Sequence, residues 1–167
     1  VQTAKVNALA KAGYLTGAEI KTTDGGKVTG DTKLSEIGIS AGTSIELKVK
    51  GETTEIAIED GMTMNDLMAK FRDAGVNASF DAGNGRVFIS AKETGVENDF
   101  LFTAGDDALN KLGLTVSSGA TRIKGADAEL VLNGATFKSS SNTFNINGST
   151  YTVNSVTDEE FTVATEN

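Results

Sequence analysis

The alternation of apolar and polar residues is cleanest over TSIELKVKGETTEIAIED. Ile45, Leu47 and Val49 alternate with Glu46, Lys48 and Lys50, and Ile56 and Ile58 resume the pattern after Gly51. A period of two with one apolar face predicts a hairpin packed on one side only. The period changes at MTMNDLMAKFRDAG, where Met64, Leu67, Met68, Phe71 and Ala74 recur at the spacing of a helix face. Thr63 supplies an N-cap oxygen, Asp66 lies three residues on, where a carboxylate also suits the helix dipole, and Gly75 stops the run. The spacing predicts one amphipathic helix over about 63–74. Beyond it, VNASF and GRVFISAKE read as strands joined by DAGNG, whose Asn84–Gly85 pair suits a hairpin turn. Residues 54–93 thus read strand, helix, strand, strand.

Elsewhere the pattern is weaker. VQTAKVNALAKA supports two readings: Val6, Leu9 and Ala10 fit a helix face, while Ala4, Val6 and Ala8 fit an extended strand. TTDGGKVTGD is a tight turn or loop around Asp24–Gly25. DTKLSEIGIS reads as one or two helical turns, capped by Asp31 or Thr32, with Leu34 and Ile37 on one face and Gly38 ending it in the left-handed region. DDALNKLGL, residues 106–114, is a second short capped helix ending at Gly113. The two segments echo each other, as do KVKGETTEIAI and RIKGADAELVL, which leaves a diverged duplication and a repeated local solution both open. Residues 122–164 alternate in short runs, AELVL, ATF, NTFNI, STYTV and EFTV, with Asn133–Gly134 and Asn147–Gly148 as turn pairs. Within them, Ser139–Asn142 reads as a linker or as the way into a hairpin whose packed positions are Phe144, Ile146, Tyr151 and Val153.

The fold class that follows is α+β, mainly antiparallel β, with short hairpins, one amphipathic helix and short capped helical turns. Two β-rich domains are expected: a strand-helix-strand-strand module over 43–115, inserted into a domain built from 1–42 plus 116–167. A length of 167 residues suits one medium domain or two small ones. Nineteen glycines and no proline mean that the turns are made by Gly, Asn and Asp.

Charge and composition exclude several functions. The net charge is −8 and the basic residues are scattered, so there is no phosphate-binding patch and no nucleic-acid partner is expected. No apolar run is long enough to span a membrane. The chain opens at Val1 without a basic-then-apolar leader; a fragment of a longer protein is one reading, and the ends support no targeting assignment. The absence of histidine removes the commonest general base and metal ligand, and the absence of cysteine removes thiol chemistry and disulfides. Carboxylates remain: Asp106–Asp107 at a helix start, where acids are favoured electrostatically, and Asp158–Glu159–Glu160 in a turn between strands. Neither is set out as a sugar-cleaving pair, which needs two carboxylates facing each other and aromatic platforms. DAGNG puts glycine where a calcium loop needs ligands, and no phosphate loop occurs. No catalytic, cofactor or metal residue is assigned. Met62, Met64 and Met68 cluster at the helix start and could form an adaptable contact surface, but Met64 and Met68 read first as core on the amphipathic face. Asn77–Ser79 and Asn147–Ser149 match the glycosylation acceptor pattern, which matters only in a eukaryotic secretory host.

Several stretches together resemble one family, the flagellar filament cap proteins, also called flagellar hook-associated protein 2. They are Leu67, Gly75–Val76–Asn77–Ala78, Gly85–Arg86, Ser90 and Thr94–Gly95; then ALNKLGL; then Asp127–Ala128, Asn133–Gly134, Ser140–Ser141–Asn142–Thr143 and Gly148; with VNALAKAGYLTG near the start. Tyr151 departs from the smaller residue usual in the family. The resemblance covers most of the chain in the expected order, and it favours a strand for the first segment. It implies the outer β-rich domains of such a protein, without the heptad-patterned terminal helices that pack into the filament. It implies a structural role with no enzyme activity and no cofactor: a ring of copies at the distal tip of the flagellum, outside the cell, that retains flagellin and promotes its polymerisation. For some bacteria it also implies a host surface receptor or mucin as a further partner. The lack of cysteine sits comfortably with that address. Without the helices, this segment is expected to be monomeric or weakly self-associating. The competing readings are an extracellular adhesion or glycan-binding module using Ser139–Asn142, and an acid-only hydrolase.

Overall fold

The computed structural model describes residues 2–163. In chain order the elements are β1 (Gln2–Ala8), β2 (Tyr14–Thr16), β3 (Ser44–Val49), β4 (Glu52–Ala57), α1 (Met64–Asp73), β5 (Val76–Asp81), β6 (Arg86–Ala91), β7 (Phe100–Ala104), α2 (Asp106–Lys111), β8 (Thr121–Ile123), β9 (Ala128–Leu132), β10 (Ala135–Ser139), β11 (Thr143–Ile146), β12 (Ser149–Thr152) and β13 (Phe161–Val163). Every strand pairing among them is antiparallel, and the class is α+β, as the alternation implies.

By internal contacts the chain divides into two units. One is Val1–Gly13, Glu93–Asp99 and Lys124–Asn167; the other is Tyr14–Lys92 and Phe100–Ile123. The first and last divisions fall at 13/14 and 123/124, because β2 pairs with β6 on one side and β8 on the other. Three-residue strands carry no period of their own, so only their pairing assigns them.

In the first unit the sheet order is β10-β9-β1-β13. The opening segment is the strand β1, set between β9 and β13, with Gln2 opposite Val163 and Ala4 opposite both Leu132 and Phe161. Its extended alternation prevails over its helical one because Ala4 and Val6 then share a face with Ala128, Leu130 and Leu132. Phe144 and Val153 complete this core. β11 and β12 form a separate two-stranded hairpin. Both Asn–Gly turns here have positive φ at both residues, 49° and 81° at Asn133–Gly134 and 48° and 80° at Asn147–Gly148, the type I′ geometry that fits the twist of two-residue hairpins. Lys50–Gly51 closes β3–β4 in the same way, at 52° and 82°.

The second unit holds two sheets, β5-β6-β2-β8 and β4-β3-β7. Met64, Leu67, Met68 and Phe71 of α1 are all buried, together with Ile45 and Leu47 of β3 and Val76, Val87 and Ile89 of β5 and β6. The α1 cap forms as expected: the Asp66 N–H donates to Thr63 Oγ1 at 3.2 Å and the Thr63 N–H donates to Asp66 Oδ2 at 3.0 Å. DTKLSEIGIS forms a single 3-10 turn, Leu34–Ile37, and its cap is Lys33 rather than Asp31 or Thr32. The Lys33 N–H donates to Glu36 Oε2 at 2.8 Å, so the acid three residues on does the capping. The echo between this turn and α2 is one shared stop. Gly38 and Gly113 are left-handed, and the following N–H reaches back five residues, Ile39 to Leu34 at 3.0 Å and Leu114 to Leu109 at 2.9 Å. With the second bond from the glycine itself, Gly38 N–H to the Ser35 carbonyl and Gly113 N–H to the Asn110 carbonyl, both at 3.1 Å, it makes the Schellman motif. Asp81 ends β5, and the rest of DAGNG, Ala82–Gly85, is a four-residue loop rather than a two-residue turn, with only Gly85 of its Asn–Gly pair at positive φ.

Arg122 of β8 closes this unit where the chain enters and leaves it. Its guanidinium lies 4.2 Å over the Phe100 ring and donates to the carbonyl oxygens of Phe100 at 2.6 Å, of Tyr14 at 3.4 Å, and of Ile123. Those three residues are the boundary residues at 14, 100 and 123. Charge-assisted bonds are each worth more than neutral ones, the one to Phe100 is partly buried, and lysine lacks the planar fork to make all three together. Arg122→Met, which keeps the stem over the ring, is expected to cost about 2 kcal/mol, with faster amide exchange along β2 and β7. Unchanged exchange there would show that the clasp contributes nothing.

Candidate interaction surface

The acidic pairs are spread over the surface in structural roles. Asp106 and Asp107 are exposed at the first turn of α2, and Asp107 pairs with Lys111 at 3.1 Å. Asp158, Glu159 and Glu160 are exposed between β12 and β13, and Glu160 accepts from the Thr3 hydroxyl at 3.2 Å. Among the described residues no three His, Cys, Asp or Glu side chains are grouped to hold a metal ion. Asp81 is engaged by its own loop. The Asn84 side chain donates to Oδ2 at 2.6 Å, and hydrogen bonding, led by that one, holds the Asp81 carboxyl below the usual range. Met62, Met64 and Met68 are core, with at most 6 % of their surface exposed.

Ser139–Asn142 is neither linker nor free loop. Ser139 Oγ donates to the Thr143 carbonyl at 2.7 Å, Thr94 Oγ1 donates to the Ser140 carbonyl at 2.6 Å, and Asn142 Oδ1 accepts the Ala10 N–H at 2.7 Å. The Val153 N–H donates to the Asn142 carbonyl at 2.8 Å. The run resembles a linker in composition because small polar side chains are what such a tied loop needs.

The face that composition did not reveal lies on β5-β6-β2-β8. Its register sets Asn77, Ser90, Tyr14 and Ile123 in one row, and Ser79, Phe88, Thr16 and Thr121 in the next. The alternate positions Ala78, Ile89 and Leu15 are buried, so these rows face solvent. Tyr14, Phe88 and Ile123 are 43 %, 39 % and 38 % exposed. None of the eight positions carries a formal charge, in a chain whose net charge is −8. A depression of about 370 Å³ between Tyr14, Phe88, Asn77 and Ser79 is bordered by Arg72, which donates to the Ala78 carbonyl at 2.9 Å and so covers part of the β5 edge. Asn77 of the glycosylation pattern belongs to this face and donates to Ser90 Oγ at 3.2 Å. An uncharged face of aromatic rings, hydroxyls and an amide is suited to contact rather than to bond making. The only signal for it in the sequence was the bare YLT between Gly13 and Gly17 and the alternation of RVFIS, neither of which says which face is covered.

No protein-family profile and no curated protein sequence matches this chain. Solved structures do. The D2–D3 domains of the flagellar cap protein FliD from Serratia marcescens share 21 % identity at a TM-score of 0.70, over 98 % of this chain and 92 % of that one. The D2–D3 domains of Escherichia coli FliD share 26 % identity at a TM-score of 0.65, over 95 % and 84 %. The D1–D2–D3 structure from Escherichia coli shares 25 % identity at a TM-score of 0.70, but there the chain accounts for only 46 % of the partner's length. The motifs quoted from the sequence and the fold of the whole chain therefore agree: this is the architecture of the D2–D3 domains, the outer region of a flagellar cap protein.

Proposed function

We propose that the chain is the solvent-facing part of a flagellar cap. There it works with copies of the full-length protein at the distal end of the filament, outside the cell, to retain flagellin and promote its polymerisation. The reading rests on the match of 98 % of the chain to D2–D3 domains at a TM-score of 0.70, together with family motifs that occur in the same order. The two compact units then correspond to the two outer domains. The uncharged rows around Tyr14 and Phe88 suit such work, since an acidic protein meets another protein surface at least electrostatic cost where it carries no charge. The adhesin reading loses the loop assigned to it, because the side chains of Ser139 and Asn142 are engaged within their own unit. Gold-labelled antibody raised against this chain is expected to mark only the distal ends of flagella on cells of the source bacterium. Label along the filament, or on the cell body alone, would refute the proposal.

A further inference from the structure

The chain contains three Asn–Gly pairs, at 84–85, 133–134 and 147–148. Glycine after asparagine leaves the next backbone nitrogen sterically open, so each pair is chemically capable of losing its amide. The structure treats the three differently.

Asn84 is held on both reacting sides. Its Nδ2 donates to Asp81 Oδ2 at 2.6 Å, its own N–H donates to Asp81 Oδ1 at 3.2 Å, and the Gly85 nitrogen, the would-be nucleophile, donates to the Asp81 carbonyl at 2.7 Å. Asn133 is pinned to β1: Oδ1 accepts the Thr3 N–H at 3.0 Å and its own N–H donates to the Thr3 carbonyl at 2.9 Å. Its turn joins two strands of a four-stranded sheet. Asn147 is exposed, and its side chain has no hydrogen-bond partner among the described residues. Its turn joins β11 and β12, which pair with each other at four positions and, among the described residues, with no third strand.

We propose that Asn147 is the site of spontaneous deamidation in this protein. The Gly148 nitrogen attacks Cγ of Asn147, the Cγ–Nδ2 bond breaks, and ammonia leaves with the proton lost by the nitrogen, closing a five-membered succinimide. Water then opens the ring. Cleavage at Cγ gives aspartate, and cleavage at the main-chain carbonyl gives isoaspartate, with the chain rerouted through the side-chain carboxyl. Attack requires Asn147 to leave its left-handed turn conformation, φ 48°, so the rate follows how readily the hairpin end opens. A two-stranded hairpin opens more readily than a turn tied to a third strand. The products differ in effect. Aspartate adds a negative charge at the tip. Isoaspartate adds a backbone atom to a two-residue turn and disturbs the register that sets buried Phe144 opposite Tyr151.

The test incubates the folded chain in near-neutral buffer and follows the three pairs by peptide mapping and isoaspartyl methyltransferase labelling. Asn147 is expected to convert about tenfold faster than Asn84 and Asn133, with the three rates drawing together in denaturant. Conversion at Asn147 no faster than at the other two in the folded chain overturns the proposal. Asn147→Gly keeps a residue tolerant of positive φ and removes the amide, so it must lose the dominant isoaspartate signal; persistence of that signal overturns it equally.

Discussion

Phe71→Ala is expected to lower the unfolding free energy of the Tyr14–Lys92, Phe100–Ile123 unit by about 3–5 kcal/mol. Phe71 is fully buried on the core face of α1, and its ring meets Phe102 edge-on at 5.4 Å. Phe102 meets Phe100 at 6.4 Å, and Phe100 lies beneath the Arg122 guanidinium. Truncation therefore loses the transfer free energy of a ring, leaves a cavity, and removes one end of a series of edge-on ring contacts; the aromatic pair alone accounts for about 1 kcal/mol. Phe71→Leu retains most of the volume and should lose less than half as much. Each unit carries one tyrosine, Tyr14 in this unit and Tyr151 in the other, so 3-fluorotyrosine labelling follows the two separately by fluorine NMR in urea. A Tyr14 midpoint unmoved by Phe71→Ala would mean that α1 is not seated on this core.

Gly95→Ala is expected to be nearly as damaging to the other unit, by about 3 kcal/mol, read as a fall in the Tyr151 midpoint. Gly95 has φ 99° and ψ 156°, a region that residues with a side chain essentially do not enter. A Cβ there would stand 2.6 Å from Ser140 Cβ and 2.7 Å from Ser140 Cα, so backbone must move. The movement would spread to the bond from Thr94 to the Ser140 carbonyl, and to the Gly95 N–H, which donates to the Lys11 carbonyl at 3.0 Å. Gly148→Ala is the control: its φ is also positive, 80°, but nothing lies within 4 Å of the added carbon. It should cost only the conformational part, about 1 kcal/mol. Equal losses in the two variants would show that packing against Ser140 is unimportant.

The elements legible in the sequence were those whose pattern is local. α1 carries its own cap, its own face and its own stop within Thr63–Gly75, and the β3–β4 hairpin carries two alternating runs about one turn. The Asn–Gly turns at 133 and 147 were legible because both central residues must take positive φ, which few residues accept. β2, β7 and β8 were not legible. They are three to five residues long, and what makes them strands is pairing with distant segments, Leu15 with Ile89 and Arg122, Leu47 with Phe102. The same cause hid the uncharged face, which is assembled from four strands drawn from positions 14 to 123. The turn at Leu34–Ile37 was placed correctly but capped wrongly. Asp31 and Thr32 have the better capping side chains, yet Thr32 is buried and its hydroxyl accepts the Thr29 N–H at 2.9 Å, which leaves Glu36 to serve Lys33.

The pairing of β1 with β13 has a mechanical consequence. Gln2 and Val163 lie opposite each other, so a pull applied through these two residues acts on adjacent ends of an antiparallel pair. Loaded in that direction the bonds fail one after another, like a zipper, not all together as in shear. β13 should peel away at low force, Val163 before Phe161. Tension reaches Tyr14 only once β1 has been stripped from β9, so the helix-bearing unit is the last to feel the load.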